Sequence, residues 1–167
     1  MKGVQVGDQW CEEPRTVRLE AKKLFEARFK ATKDLGVRLD GVEFKSINTS
    51  DNESLLAIFS EEEIRDAVWQ CEGSKSRGPD GFNFNFLKQS WEILKDDIMV
   101  ALSFFHESGS LPKGCNTSFI ALVPKVRDPI KLEQYRPISL VGAIYKIISK
   151  VLAGRLKKVF PSVIDES

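Results

Sequence analysis

Two basic residues stand where two short apolar runs approach each other in the sequence. Lys125 follows the run 118–123, Arg136 lies at the start of the run 135–140, and each is next to a proline. If the runs form an antiparallel hairpin, the two cations meet near its loop. A lysine ammonium and an arginine guanidinium held close together could bind phosphate groups. From residue chemistry alone the alternative is slightly favoured, in which both cations only keep a hairpin tip soluble.

The sequence holds no complete catalytic motif of another kind. There is no Walker A loop, no GxSxG and no HExxH, and the single histidine, His106, is expected to cap a helix or lie on the surface. Asp96-Asp97 raises the possibility of a two-metal site. Adjacent helical residues point about 100° apart, so the pair is interpreted as the start of a helix. The three cysteines are far apart and favour neither a disulfide nor zinc. We therefore assign no catalytic or metal-binding residue.

Positive charge is concentrated in one part of the chain. The net charge is only +1, yet residues 111–160 hold ten basic and two acidic residues. Such an excess is typical of a surface that binds a polyanion, although a solvated basic surface explains it equally well. No apolar run is long enough to span a membrane, and the first residues do not resemble a signal peptide. An intracellular protein, in the nucleus or cytoplasm and without a membrane partner, is expected.

Hydrophobic periodicity predicts an α+β fold that is predominantly helical, with one small antiparallel hairpin. Ser60 and Glu63 form a capping box at a helix start, and Asp96-Asp97 is interpreted as a break between two helices. The first dozen residues are expected to be loose and residues 34–54 to form a loop. The predicted helices cover residues 17–33, 61–71, 87–105 and 142–160.

The last predicted helix, 142–160, places lysines on one face and apolar residues on the other. Three lysines at offsets of four and seven share one face, and Arg155 falls inside the opposite, apolar stripe, where a cation needs a partner or must extend its charged end to solvent. The lysines are candidate nucleic-acid-binding residues: Lys146, Lys150 and Lys157. The apolar stripe comprises Ile144, Ile147, Ile148, Val151, Leu152, Leu156 and Val159.

A turn rich in proline and glycine precedes the hairpin. In "SKSRGPDGFNF", Pro79 and Asp80-Gly81 predict a rigid corner. Lys75 and Arg77 lie on its approach, and both are further candidates for binding nucleic acid.

Three blocks of the sequence resemble consecutive blocks of the reverse transcriptase of non-LTR (LINE-type) retrotransposons, especially plant ones. They are "RGPDGFNFNFLKQSW", "LPKGCNTSFIALVPK" and "YRPISLVGAIYKIISKVLAGRL". The order, the spacing and the residues agree over about 60–167 and more loosely over 15–59. The resemblance implies a linker and helix over residues 1–59, followed by a partial polymerase domain over 60–167. That domain would be the incomplete fingers and early palm of a right-hand polymerase.

The same resemblance assigns roles to the candidate residues. Lys125 and Arg136 would belong to the fingers hairpin that closes on the incoming deoxynucleotide triphosphate, and the corner with Lys75 and Arg77 would follow the template path. The implied partners are an RNA template, a DNA primer and a deoxynucleotide triphosphate.

No residue matches the family's catalytic aspartates, which lie in a later palm strand and a Tyr-x-Asp-Asp turn. We therefore expect a truncated RNA-directed DNA polymerase region, with the rest of that domain missing. It should be inactive alone and of low stability, with no cofactor of its own and Mg²⁺ in the complete enzyme. A non-catalytic nucleic-acid-binding module and a degenerate retrotransposon remnant stay open as alternatives.

Overall fold

The computed structural model describes residues 3–30, 41 and 45–164. These residues form six helices, two antiparallel two-stranded sheets (β1–β2 and β3–β4) and a short 3₁₀ turn, Leu132–Gln134, before β4. The predicted α+β class is therefore confirmed. In chain order the elements are β1 (Val4–Val6), β2 (Gln9–Cys11), α1 (Pro14–Phe29), α2 (Thr49–Leu56), α3 (Glu61–Gln70), α4 (Phe84–Gln89), α5 (Trp91–Ser108), β3 (Ser118–Pro124), β4 (Tyr135–Val141) and α6 (Ala143–Val163).

The described chain divides into two compact units. The small unit contains the described residues up to 41 together with Ile120–Ile138, and the large unit contains those from 45 to 119 and from 139 to 164. The division crosses both strands of the β3–β4 hairpin. The loop end of that hairpin thus belongs to the small unit, and its base belongs to the large unit.

The small unit is organised around one buried cluster. Val4, Leu132 and Tyr135 are buried there. The prediction that the first dozen residues are loose was wrong, because they form the β1–β2 hairpin. Its Gln5 N–H donates to the Ile130 carbonyl at 2.7 Å, a distant partner that local periodicity cannot reveal. Partly buried side chains surround the cluster: Val6, Val17, Ala21, Leu24 and Leu122.

The large unit buries one face of each of its longer helices. Its core includes Ile64 from α3, Leu102 from α5 and Ile147 from α6, all at most 1% exposed. α4 and α5 meet at Ser90, so the predicted break at Asp96-Asp97 was wrong. Those two aspartates are exposed in the middle of α5, where they mark no helix start.

Two other helix predictions need correction. Residues 34–40 and 42–44 of the predicted loop lie outside the described residues, but from Thr49 the chain is helical. The Asn48 side chain accepts from the Asp51 N–H at 2.8 Å, so a polar cap starts α2 without an apolar stripe. In α6 the predicted stripe was too wide, because Leu152 and Leu156 are 36% and 43% exposed. None of the described helices is long and apolar enough to cross a membrane.

Candidate nucleotide and nucleic-acid interface

The loop of the β3–β4 hairpin is held closed by one glutamine. The Gln134 side-chain oxygen accepts from the backbone N–H groups of Ile130 and Lys131, at 2.8 and 3.0 Å. Its carbonyl accepts from the Lys125 N–H at 2.8 Å. Asp128 adopts a left-handed backbone with φ of 53°, which an aspartate tolerates better than most residues. The hairpin loop is therefore an ordered turn with internal bonds.

The structure brings Lys125 and Arg136 to the loop end of this hairpin. Arg136 lies on β4, two residues beyond the backbone partner of Lys125. Both side chains are exposed. The Lys125 ammonium donates to the Glu133 carbonyl at 2.8 Å, which leaves two of its three N–H donors available. The Arg136 side chain makes no hydrogen bond or ion pair within the described residues. Their role in nucleotide binding stays a prediction.

The corner before α4 is docked against the start of α6. The Gly81 N–H donates to the Gly78 carbonyl at 3.1 Å, which closes the turn. The Asp80 carboxylate accepts from the Ala143 N–H in the first turn of α6, where the helix favours a negative charge. A Cβ on Gly78 would lie 2.2 Å from the Val141 carbonyl oxygen, so this close approach requires glycine. The corner is therefore fixed to the large unit.

The two cations of the corner differ in their surroundings. The Lys75 ammonium lies 3.4 Å from a Glu72 carboxylate oxygen, and both side chains are well exposed. Arg77 is also exposed and has no hydrogen bond or ion pair within the described part of the chain. Arg77 is thus the more available of the two for an anionic ligand.

The three predicted lysines of α6 are not equivalent. Lys150 and Lys157 are exposed, whereas Lys146 is half-buried and its ammonium donates to the Ser76 carbonyl at 3.4 Å. Lys150 also borders a depression of about 560 Å³ that Lys158 and the acidic residues Glu62 and Asp66 share. Its surroundings therefore have mixed charge, and Lys157 is the freest of the three.

Arg155 pairs with Glu63, which is the first of the two outcomes predicted for a cation in the apolar stripe. Its side chain is 6% exposed, and it binds the Glu63 carboxylate through two bonds of 2.8 Å, from Nε and Nη2. Its remaining N–H groups donate to the carbonyls of Leu55, Ala57 and Ile58. All five guanidinium donors are used. Its guanidinium carbon also lies 4.5 Å from the Phe59 ring centre.

This ion pair corrects the predicted capping box. The Ser60 hydroxyl accepts from the Glu63 N–H at 3.2 Å, as predicted. The Glu63 carboxylate binds Arg155 rather than the Ser60 N–H. Two charge-assisted hydrogen bonds to a buried guanidinium are stronger than one hydrogen bond to a backbone N–H at the cap. The Glu63 carboxylate therefore binds Arg155.

No metal site is visible within the described residues. They contain no group of three or more histidine, cysteine, aspartate or glutamate side chains that could hold an ion. His106 is half-buried and lies 3.0 Å from the Leu56 carbonyl oxygen, so it connects α5 to the end of α2.

Burial raises the pKa of the Cys71 thiol, against the opposing effect of Lys150 and other nearby lysines.

One exposed feature was missed by the sequence reasoning. Phe82 and Phe86 stack on each other at the surface, with ring centres 5.0 Å apart. Their spacing of four residues was the available signal. It was overlooked because Phe82 precedes the regular helix.

Comparison with known proteins links the chain to a transposon. The chain is 29% identical over 157 residues to the "Transposon TX1 uncharacterized 149 kDa protein" of Xenopus laevis. The aligned part covers 92% of this chain but only 12% of that protein. No protein-family model matches. The chain is thus similar, over nearly all of its length, to a small part of a transposon protein.

Proposed function

We propose that this chain is a reverse transcriptase segment from a non-LTR retrotransposon, comprising the fingers and the start of the palm. Its role would be to bind the template and the incoming nucleotide. Three sequence blocks in the order of that family support the proposal, as does the similarity to a transposon protein over 92% of the chain. The observation that carries it is the exposed pair Lys125 and Arg136 on one internally bonded hairpin.

The chemistry of this pair suits a triphosphate. The Arg136 guanidinium offers a planar fork that can donate two parallel bonds to phosphate oxygens. The Lys125 ammonium acts as a point charge with two donors left after its bond to Glu133. Because Gln134 already holds the loop closed, little ordering of the backbone is required when a ligand binds.

A titration with a fluorescent deoxynucleotide triphosphate and Mg²⁺ tests this proposal. Arg136→Ala should weaken binding about tenfold or more, because a hydrogen bond to a charged group contributes about 1.5–3 kcal/mol. Arg127→Ala is the matched control, since it removes the same charge from an exposed residue of the same loop. It should change binding little. Equal effects of the two substitutions, or no binding by the unsubstituted chain, would contradict the nucleotide role.

A non-catalytic nucleic-acid-binding module is the second candidate. It is favoured by the ten basic and two acidic residues in 111–160, of which Lys150 and Lys157 are exposed. Such a module would bind RNA without a response to deoxynucleotide triphosphate. The same titration, run alongside RNA binding, therefore separates the two candidates.

For the chain by itself we expect no nucleotide incorporation on a primed RNA template with Mg²⁺ or Mn²⁺. In this family the metal-binding aspartates belong to blocks that no residue of this chain matches, and two-metal phosphoryl transfer requires such carboxylates. Primer extension resolved on a denaturing gel measures this. Extension by a preparation shown to be free of other polymerases would contradict the expectation.

A further inference from the structure

Two phenylalanine rings lie stacked on the surface at the start of α4. The ring centres of Phe82 and Phe86 are 5.0 Å apart and the ring planes are 12° from parallel. The residues are 47% and 41% exposed, whereas Phe84 between them is 5% exposed and belongs to the core. The sequence "FNFNF" therefore directs one ring inward and two outward, and the outer two rings stack on each other while remaining partly exposed.

The local backbone fixes this pair. The Asn83 side chain accepts from the Phe86 N–H at 3.0 Å and so caps α4. The Phe82 N–H donates to the Asp80 carboxylate at 3.2 Å, and the same carboxylate is bound to the start of α6. Both rings are therefore held on an ordered backbone. The hydrophobic staple of a helix start joins the residue before the cap to the fourth helical residue, here Phe82 and Leu87, so it does not account for the stacking of Phe82 on Phe86.

A cation with no side-chain partner among the described residues lies on the other side of the turn from Phe82. Arg77 precedes the turn Gly78–Gly81 and Phe82 follows it, and a turn of this kind brings the backbones on its two sides together. Arg77 is exposed and has no hydrogen bond or ion pair within the described residues. The one carboxylate of this corner, that of Asp80, is already bound by two backbone N–H groups. The corner thus carries two exposed aromatic rings and, across its turn, an exposed arginine that binds no carboxylate among the described residues.

We propose that Phe82 and Phe86 form a stacking platform for an unpaired base of a single-stranded nucleic acid, and that Arg77 contacts a neighbouring phosphate. Aromatic faces and adjacent cations are the two components with which proteins hold single strands without reading their sequence. A duplex keeps its bases stacked inside, so the platform selects single strands. The choice of ligand rests on the proposed function, but the site involves none of the residues assigned to the triphosphate.

Fluorescence anisotropy with a labelled single-stranded RNA and an abasic strand of equal length and charge tests the proposal. The whole chain should bind the base-containing strand at least about fivefold more tightly, since one base stacked on an aromatic ring contributes at least that factor. The double substitution Phe82→Leu/Phe86→Leu keeps an apolar contact and removes the aromatic faces. It should abolish this preference, and Phe82→Tyr/Phe86→Tyr should keep it.

Phe104→Leu/Phe119→Leu is the matched control, because both of those side chains are also exposed, at 47% and 57%. It should leave the preference unchanged. The platform would be overturned if the Phe82→Leu/Phe86→Leu chain kept the full preference, or if the unsubstituted chain bound the two strands equally or not at all. Binding of the fluorescent triphosphate should be unaffected by these substitutions. If the base preference is absent, the triphosphate titration can still be interpreted. If the triphosphate does not bind, the preference for the base-containing strand can still be measured.

Discussion

At the scale of single residues, Arg155 shows what a sequence can and cannot reveal. A cation inside an apolar stripe predicts either a partner or a side chain that extends to solvent, and the structure shows the partner, Glu63. The identity of that partner was hidden, because Glu63 already had a plausible local role in capping α3. The contact joins residues far apart in the chain, and local spacing carries no information about such pairs.

The burial of Arg155 leads to a stability prediction. Arg155→Ala should lower the free energy of unfolding by about 3 kcal/mol or more, because it leaves a carboxylate and several carbonyls without their donor. Arg155→Lys should recover only part of this loss, since an ammonium lacks the five-donor fork. Urea unfolding followed by circular dichroism measures both variants. Lys158→Ala, at a neighbouring exposed position, should change the value by less than about 0.5 kcal/mol. Similar values for Arg155→Ala and Lys158→Ala would refute the structural role.

At the scale of elements, the prediction succeeded where the periodicity was long or the turn chemistry was clear. The predicted strand runs 118–123 and 135–140 agree with β3 and β4 to within one residue. β1 and β2 have three residues each, too few to show an alternation. Helix α2 buries none of its residues, so the sequence has no apolar stripe from which the helix could be predicted.

The exposed lysines of α6 allow a prediction on nucleic-acid binding. If about four cations contact phosphates, the logarithm of the affinity should fall with the logarithm of salt concentration with a slope of roughly −3. Lys150→Ala/Lys157→Ala should reduce that slope by about two units and weaken all sequences alike. Lys146→Ala should act less on the slope, because Lys146 is half-buried whereas Lys150 and Lys157 are exposed.

Anisotropy with a labelled RNA–DNA hybrid across a salt series provides the measurement. Arg15→Ala/Arg18→Ala is the matched control, since it removes two exposed charges from α1 and should leave the slope nearly unchanged. If the affinity did not change with salt, or if the two double substitutions had equal effects, the α6 lysines would not be nucleic-acid-binding residues.

At the scale of the whole molecule, the two units differ in the size of their hydrophobic cores. The main cluster of the large unit has thirteen buried residues and that of the small unit has three. Local opening costs least where few apolar contacts must be broken, and a two-stranded hairpin is marginal on its own. This division was not visible in the sequence, because it depends on the pairing of β1 with the loop after β3.

Hydrogen exchange monitored by mass spectrometry should report this difference. Amides of α3, α5 and α6 are expected to exchange slowest, and those of β1, β2 and the β3–β4 loop fastest. Arg155→Ala should accelerate exchange in α3 and α6 and leave the small unit nearly unchanged, because all of its bonds lie within the large unit. Uniform protection across both units would contradict this assignment of stability.

We propose that the β3–β4 hairpin holds the phosphates of an incoming nucleotide. The most direct test is a titration of the isotopically labelled 167-residue chain with a deoxynucleotide triphosphate and Mg²⁺, followed by amide NMR. Saturable shifts concentrated between Lys125 and Arg136 are expected, and Arg136→Ala should remove them. Shifts confined to α6, or no saturable shift anywhere, would contradict it.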